Sequence, residues 1–216
     1  EVEAWFISHP HGDHMGALLQ LLRDRQELRI KHIYHSRMPE PVIQAEPDYE
    51  AHCREFYAML DTLKDIQVTD IQEPGETFCW DGMNLQILGV ANDFTTNPYN
   101  NSSMVMRVWD RRKSITFLGD AGVECGDKVL NGPYADRLHC DYLQMAHHGQ
   151  RGCSEEFYRK VKFRKNLLGG VDEVQMWKKL EELYGLYENA IRAERARYNA
   201  LLEAHTPPGE NHEEGC

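Results

Sequence analysis

A short loop rich in histidine constrains this chain more than any other feature. Residues His9–His14 read His-Pro-His-Gly-Asp-His and follow the apolar segment Ala4–Ile7, which has the composition of a buried strand. Leucines on one side of residues 16–25 then predict a helix. Three imidazoles and one carboxylate are therefore concentrated in a loop between a buried strand and a helix.

This loop favours a metal site. Zinc and similar cations take neutral imidazole nitrogens and carboxylate oxygens as ligands, and a loop lets closely spaced donors converge. We expect Gly12 and Gly16 to permit the tight backbone that such convergence needs. The alternative is a solvated polar loop, which would leave four costly polar side chains at the end of a buried strand without a metal.

The loop resembles the first metal motif of the metallo-β-lactamase superfamily. The resemblance implies that His9 and His11 hold one metal ion, while Asp13 and His14 hold a second. It also implies an αββα sandwich, which we expect to be incomplete at both ends, because strands upstream of the motif and strand-helix units after the last histidines are missing.

The same resemblance implies two further ligands at the ends of later strands. The apolar segment Ile115–Leu118 leads through a glycine to Asp120, the expected bridging carboxylate. Leu143–Ala146 leads to His147 and His148, and one of them is the expected last ligand. We favour His147, with His148 beside the metals or on the substrate, although the sequence alone does not separate the two.

Within the superfamily, the chain is similar to the hydrolase domain of ComEC-type competence proteins and their stand-alone relatives. The similarity rests on Asn101–Arg107, on the later Gly-Asp-Ala and His-His-Gly strings, and on Ser154–Phe157. It makes Asn101 and Ser103 candidate substrate contacts; for Asn101, capping of a loop is an equally weighted alternative. The resemblance covers residues 1–163.

This resemblance implies metal-dependent hydrolysis, which we expect to act on a phosphodiester such as DNA or a small or surface ester. Two divalent cations, zinc or alternatively manganese, would supply a bridged hydroxide. Asp13, Asp120 and His148 are the predicted catalytic residues. The alternatives are hydrolysis of a lactone or β-lactam, and a catalytically impaired module that binds another protein.

Charge and cysteine content narrow these alternatives. The formal net charge is -11, which argues against general nucleic-acid binding through clustered cations. No two of the 6 cysteines are spaced as in a zinc ribbon or a redox dithiol, so we interpret them as reduced packing residues.

No apolar run is long enough to span a bilayer, and the cytoplasm is the default location. Because the chain opens without Met inside a strand, we expect its natural N-terminus to be missing.

The C-terminal part has a different sequence pattern. We predict a linker over residues 164–171 and a disordered tail over 206–216, which is rich in Pro, Gly and Glu. Between them, apolar residues at three- and four-residue steps over 172–205 predict a long helix resembling a coiled coil. Self-association through this segment is therefore expected.

Overall fold

The structure is a computed structural model that describes residues 1–24, 28–162, 182 and 185–198. The strands are β1 (Val2–Phe6), β2 (Ile30–His35), β3 (Gln67–Asp70), β4 (Thr77–Trp80), β5 (Met83–Gly89), β6 (Val105–Trp109), β7 (Ser114–Phe117) and β8 (Tyr142–Gln144). The α-helices are α1 (Gly12–Asp24), α2 (Glu40–Gln44), α3 (Pro47–Thr62), α4 (Pro98–Asn101), α5 (Val123–Leu130), α6 (Glu155–Lys160) and α7 (185–198).

Two sheets form the centre of the fold. The first is parallel, with the order β1-β2-β3. The second has the order β4-β5-β6-β7-β8 and is antiparallel except for the parallel pair β7-β8. Buried side chains from both sheets, among them Tyr34, Leu85 and Ile87, pack into one apolar cluster that joins them.

Helices cover the outer face of each sheet. Met15 and Leu18 of α1 pack with Phe56 of α3 in a core that includes residues of β2. On the second sheet, Val129 of α5 lies so close to β5 that a Cβ on Gly89 would come within 2.7 Å of it. The order of layers is therefore helix, sheet, sheet, helix, and the expected αββα sandwich is confirmed.

Two local differences from the sequence prediction concern the first helix. Helix α1 begins at Gly12 rather than at residue 16, so Asp13 and His14 lie in its first turn, where a carboxylate is favoured. Neither Gly12 nor Gly16 needs positive φ, so the expected tight glycine turn is absent here. Helix α3 begins at Pro47, because proline fits only the first turn of a helix.

The chain divides into two compact units, Glu1–Arg164 and Lys165–Cys216. Helix α7 lies in the second unit and confirms that the predicted C-terminal segment contains a helix. The predicted linker over 164–171 and the tail over 206–216 lie outside the described residues. Among the residues that are described, no helix combines the length and apolar character required to cross a membrane.

Candidate metal centre

The candidate site lies where three strands end. Strand β1 leads into the His9–His14 loop and the first turn of α1. Strand β7 ends just before Asp120, and β8 ends just before a turn over Ala146–Gly149 that carries the last two histidines. Three distant segments of the sequence thus bring their polar side chains together.

Four side chains form the centre of the site: Asp13, His14, Asp120 and His148. Each offers one ligand atom, and these four atoms all lie within 4.8 Å of one another. His14 Nε2 is 3.2 Å from Asp120 Oδ1, and His148 Nε2 is 3.0 Å from Asp13 Oδ2 and 3.3 Å from Asp120 Oδ2. This spacing is compatible with one cation held among them.

His9 and His11 form an adjoining pair on the inner side of the loop. His9 Nε2 lies 2.9 Å from His11 Nδ1, and the His9 and His14 ring centroids are 4.2 Å apart. The His11 ring stacks on Tyr99 at 5.2 Å with the planes nearly parallel. The four predicted ligands of the motif, which are His9, His11, Asp13 and His14, therefore lie close to one another and to Asp120.

Unpaired ligand atoms test whether this site fits a metal. His11 Nε2, His14 Nε2 and Asp120 Oδ1 are all buried, and none makes a hydrogen bond of acceptable geometry, although His14 Nε2 and Asp120 Oδ1 lie 3.2 Å apart. A buried polar atom without a hydrogen bond is destabilising, and a cation bound beside His14 Nε2 and Asp120 Oδ1 would satisfy both. Two imidazole nitrogens and a carboxylate oxygen are ligands that zinc accepts, so the residues fit a metal ion.

The protonation of the buried imidazoles agrees with this fit. Burial lowers the pKa of His9 well below its usual value, and nearby histidines add to the effect. Burial likewise lowers the pKa of His11, although Asp13 and Asp120 oppose it. Both rings are therefore neutral at pH 7, which is the form that coordinates metal.

On the more open side of the site, charge interactions rather than burial determine the direction of the pKa shifts of His14 and Asp13. Burial opposes a charge on His14, but the nearby carboxylates of Asp120 and Asp13 together outweigh burial and raise the pKa of His14. For Asp13, burial raises the pKa, yet His14, its own backbone amide and His148 together lower it. Asp13 is thus held as a carboxylate, which is the form that binds a cation.

Ser8 and Gln144 hold the ligands and were missed by sequence reasoning. Ser8 Oγ lies 3.1 Å from His9 Nδ1 and 3.2 Å from His14 Nδ1, so it orients both rings. Gln144 Oε1 accepts hydrogen bonds from the backbone N–H groups of Leu118 and Gly119. The position of Ser8 immediately before the motif is a usable signal, whereas nothing in the sequence marks Gln144.

The turn before Asp120 requires glycine. Gly119 has a φ of 57°, and a Cβ there would lie 3.0 Å from the Ser8 side chain and 3.1 Å from Ser103 Oγ. Any larger residue would be strained both in its backbone and by contact. The glycine therefore allows β7 to turn sharply and deliver the Asp120 carboxylate to the histidines.

The two last histidines occupy different places. His147 Nε2 is 4.0 Å from Asp120 Oδ2, and its ring Nδ1 is 3.2 Å from the Arg151 carbonyl. His148 is the one that joins the four-residue centre. Both have positive φ, 52° and 56°, a strained backbone that turns the two rings towards the site. The distances thus favour His148 at the position for which the sequence analysis preferred His147.

Asn101 and Ser103, the predicted substrate contacts, are fully buried. Asn101 donates to the Thr96 carbonyl and to Glu124, and its Oδ1 accepts from the Cys125 N–H at the start of α5. The geometry therefore favours the capping alternative for Asn101. Ser103 Oγ accepts from the Asp120 N–H and lies 3.4 Å from His9 Nδ1, so it holds two predicted ligands in place.

Comparison with known structures gives distant similarities. The metallo-β-lactamase fold protein YhfI from Bacillus subtilis is 14% identical with a TM-score of 0.37, covering 65% of this chain and 48% of its own. Zn²⁺-bound PqqB from Methylobacterium extorquens is 15% identical with a TM-score of 0.33, covering 53% of this chain and 37% of its own. The diiron β-hydroxylase CmlA from Streptomyces venezuelae is 16% identical with a TM-score of 0.32, covering 54% of this chain and 20% of its own.

This chain spans less than half the length of each of these structures. No curated protein sequence matches it significantly. The sequence of residues 1–151, which includes every residue of the site described above, matches the family described as Metallo-beta-lactamase superfamily. The chain therefore belongs to the metallo-β-lactamase superfamily.

Proposed function

We propose that this protein is a metal-dependent hydrolase of phosphodiesters that works with two divalent cations, zinc or alternatively manganese. His9 and His11 would hold one cation, and Asp13, His14 and His148 the other, with Asp120 between them. The observation that carries the proposal is the group of unpaired ligand atoms on His11, His14 and Asp120. They come from two distant segments of the sequence, and a bound cation would satisfy them.

The chain's own residues would hold the cations and leave one side of the site open to the substrate. Bound cations would lower the pKa of a water molecule and neutralise charge on the phosphoryl oxygens. His148 is half exposed, with its Nε2 beside Asp13 and Asp120, so it would hold its cation at the open side of the site, where an oxygen of the substrate can approach. Hydrogen bonds orient the ligands: Ser8 contacts the His9 ring, Ser103 accepts from the Asp120 N–H, and Gln144 accepts from the Gly119 N–H.

The preference for a phosphodiester is supported by the similarity of Asn101–Arg107 and of the His-His-Gly string to the ComEC-type hydrolase domains. A lactone or β-lactam fits these strings less well. The net charge of -11 favours a small ester over long nucleic acid. DNA remains the alternative substrate of the same chemistry.

Hydrolysis of bis-p-nitrophenyl phosphate by the full chain in zinc or manganese tests the proposal. We expect turnover that is abolished by a chelator and restored by the cation. Asp120→Ala and His11→Ala should each reduce turnover at least about a hundredfold, because each removes a ligand. Unchanged turnover in either variant, with circular dichroism showing a folded protein, would overturn the assignment.

A second candidate function is a non-catalytic module that self-associates or binds a partner through residues 172–205. Leu186 and Tyr198 on helix α7 are strongly exposed apolar side chains, which favours it. A purified protein that binds no cation, hydrolyses no phosphodiester and still dimerises would favour this module over the hydrolase.

A further inference from the structure

A small pocket opens directly beside the metal centre. Its volume is about 250 Å³, and its walls include His14, Asp120 and His148. The remaining residues lining it are Phe6, Ser8, Met106, Phe117, Gly119 and Gln144. The lining of the pocket therefore combines three candidate ligands with two aromatic rings and a thioether.

The apolar wall is built from strands of both sheets. Met106 of β6 and Phe117 of β7 are cross-strand partners, so their side chains stand next to each other on one face. Phe6 of β1 comes from the other sheet, and its ring stacks on Tyr34 with centroids 4.6 Å apart. Phe78 also packs edge-on against the Phe6 ring. This wall is held by the inter-sheet core and is preformed.

The size of the pocket matches one aromatic ring. An apolar cavity of about 150 Å³ is enough to hold benzene in a protein of known structure. The volume of about 250 Å³ also includes the space beside His14, Asp120 and His148 that cations would occupy, so the pocket has room for one ring and little more. Phenylalanine rings and a methionine sulfur both make favourable contacts with an aromatic guest.

The charge of the pocket argues against long nucleic acid. None of the described residues that line it is Lys or Arg. A polynucleotide would bring further phosphates near the one being hydrolysed, and each would need a cationic partner to bind well. A monoanionic diester has a single phosphoryl group, which the metal centre alone can neutralise.

We propose that this pocket receives an aryl substituent, so that the natural substrate is a small aryl ester of phosphoric acid rather than a polynucleotide. The inference rests on the proposed function, because it takes the metal centre as the place where phosphorus binds. Phe117 and Met106 are then specificity-determining residues, while the ligands determine the chemistry.

Binding of two monoanionic diesters that differ by a single ring tests the inference. Methyl phenyl phosphate and dimethyl phosphate are each titrated into the zinc-treated full chain by calorimetry. We expect methyl phenyl phosphate to bind at least about tenfold more tightly, because burying a ring on apolar walls adds to the shared phosphoryl contacts. Phe117→Leu, which keeps the side chain apolar and of similar size, should reduce this ratio about threefold or more.

The control variant is Ile115→Val on the same strand. Ile115 lies two residues before Phe117 and does not line the pocket, so the binding ratio should not change. Equal affinities for the two diesters, or a Phe117→Leu ratio equal to that of the parent in a folded protein, would overturn the inference. Tighter binding of oligothymidylate than of methyl phenyl phosphate would overturn it as well.

These binding measurements are separate from the test of the proposed function. If bis-p-nitrophenyl phosphate is not hydrolysed but methyl phenyl phosphate still binds preferentially through Phe117, the hydrolase proposal fails and the aryl pocket stands. If hydrolysis depends on Asp120 but the two diesters bind equally, the pocket fails and the hydrolase stands.

Discussion

Gln144 shows how a residue that was not recognisable in the sequence supports the site. Its side-chain oxygen accepts from the Leu118 and Gly119 N–H groups at 2.9 and 3.0 Å, and its amide nitrogen donates to the Gly119 carbonyl at 3.2 Å. One side chain thus fixes the turn that carries Asp120. Supporting hydrogen bonds of this kind determine how well a ligand is oriented towards its metal.

We therefore expect Gln144→Ala to weaken zinc binding about 10- to 100-fold, because the turn would lose hydrogen bonds on both sides of Gly119. A competition titration with a chromophoric chelator measures the affinity. Gln20→Ala is the matched control, since Gln20 lies on the exposed face of α1 and contacts Asp24. Equal zinc affinity in the Gln144 variant and the control would contradict this role.

His35 at the end of β2 carries a different prediction. The side chain is 3% exposed, and burial lowers its pKa, although Asp70 opposes the shift; Arg37 and Asp61 also act on it. The native state therefore binds a proton less readily than the unfolded state. The free energy of unfolding should fall as the pH drops below about 6.5 and continue to fall until the lowered pKa of His35 is passed.

His35→Gln removes this proton-binding group. Urea denaturation of metal-free protein between pH 7.5 and about 5 should then show a smaller loss of stability in the variant than in the parent. His52→Gln serves as the control, since His52 is exposed on α3. Identical pH profiles for the parent and the His35 variant would contradict the prediction.

At the scale of elements, two helical glycines differ in the space around them: Gly16 in α1 has room for a side chain, whereas Gly126 in α5 has none. A Cβ on Gly16 in α1 would meet nothing within 4 Å. A Cβ on Gly126 in α5 would lie 2.8 Å from Cys153 Sγ and 3.4 Å from the Phe157 ring. Helix α5 needs this glycine so that the segment carrying Cys153 and α6 can pack against it.

Gly16→Ala should therefore stabilise the protein by about 0.5–1 kcal/mol, because alanine has less backbone entropy to lose in a helix. Gly126→Ala should destabilise it by about 1–3 kcal/mol, because the added methyl group overpacks a filled contact. Urea denaturation of the two variants measures both changes. A shift of the same sign in both would contradict the packing described for α5.

At the scale of the whole molecule, the sequence predicted the layers and most of the candidate ligands. The apolar segments Ala4–Ile7, Ile115–Leu118 and Leu143–Ala146 identified β1, β7 and β8, although most side chains of these strands are only partly buried. His9–His14 and Asp120 could be identified because ligand chemistry requires particular residue types.

The sequence did not show in which direction the side chains of the site point. His147 and His148 are adjacent in sequence, and only the strained turn decides which ring faces Asp13 and Asp120. The resemblance to ComEC-type domains made Asn101 a candidate substrate contact with capping as the alternative, but its hydrogen bonds depend on where α5 begins, far along the chain. Helix α5 itself was missed because it has only 8 residues, one of them Gly126.

The central claim is that His9, His11, Asp13, His14, Asp120 and His148 jointly hold divalent cations. The most direct test is the metal content of the full chain after incubation with zinc and removal of the excess, measured by inductively coupled plasma mass spectrometry. We predict two equivalents of zinc per chain, falling by at least one in Asp120→Ala. Less than about one tenth of an equivalent in the folded parent protein, or an unchanged content in Asp120→Ala, would contradict the account.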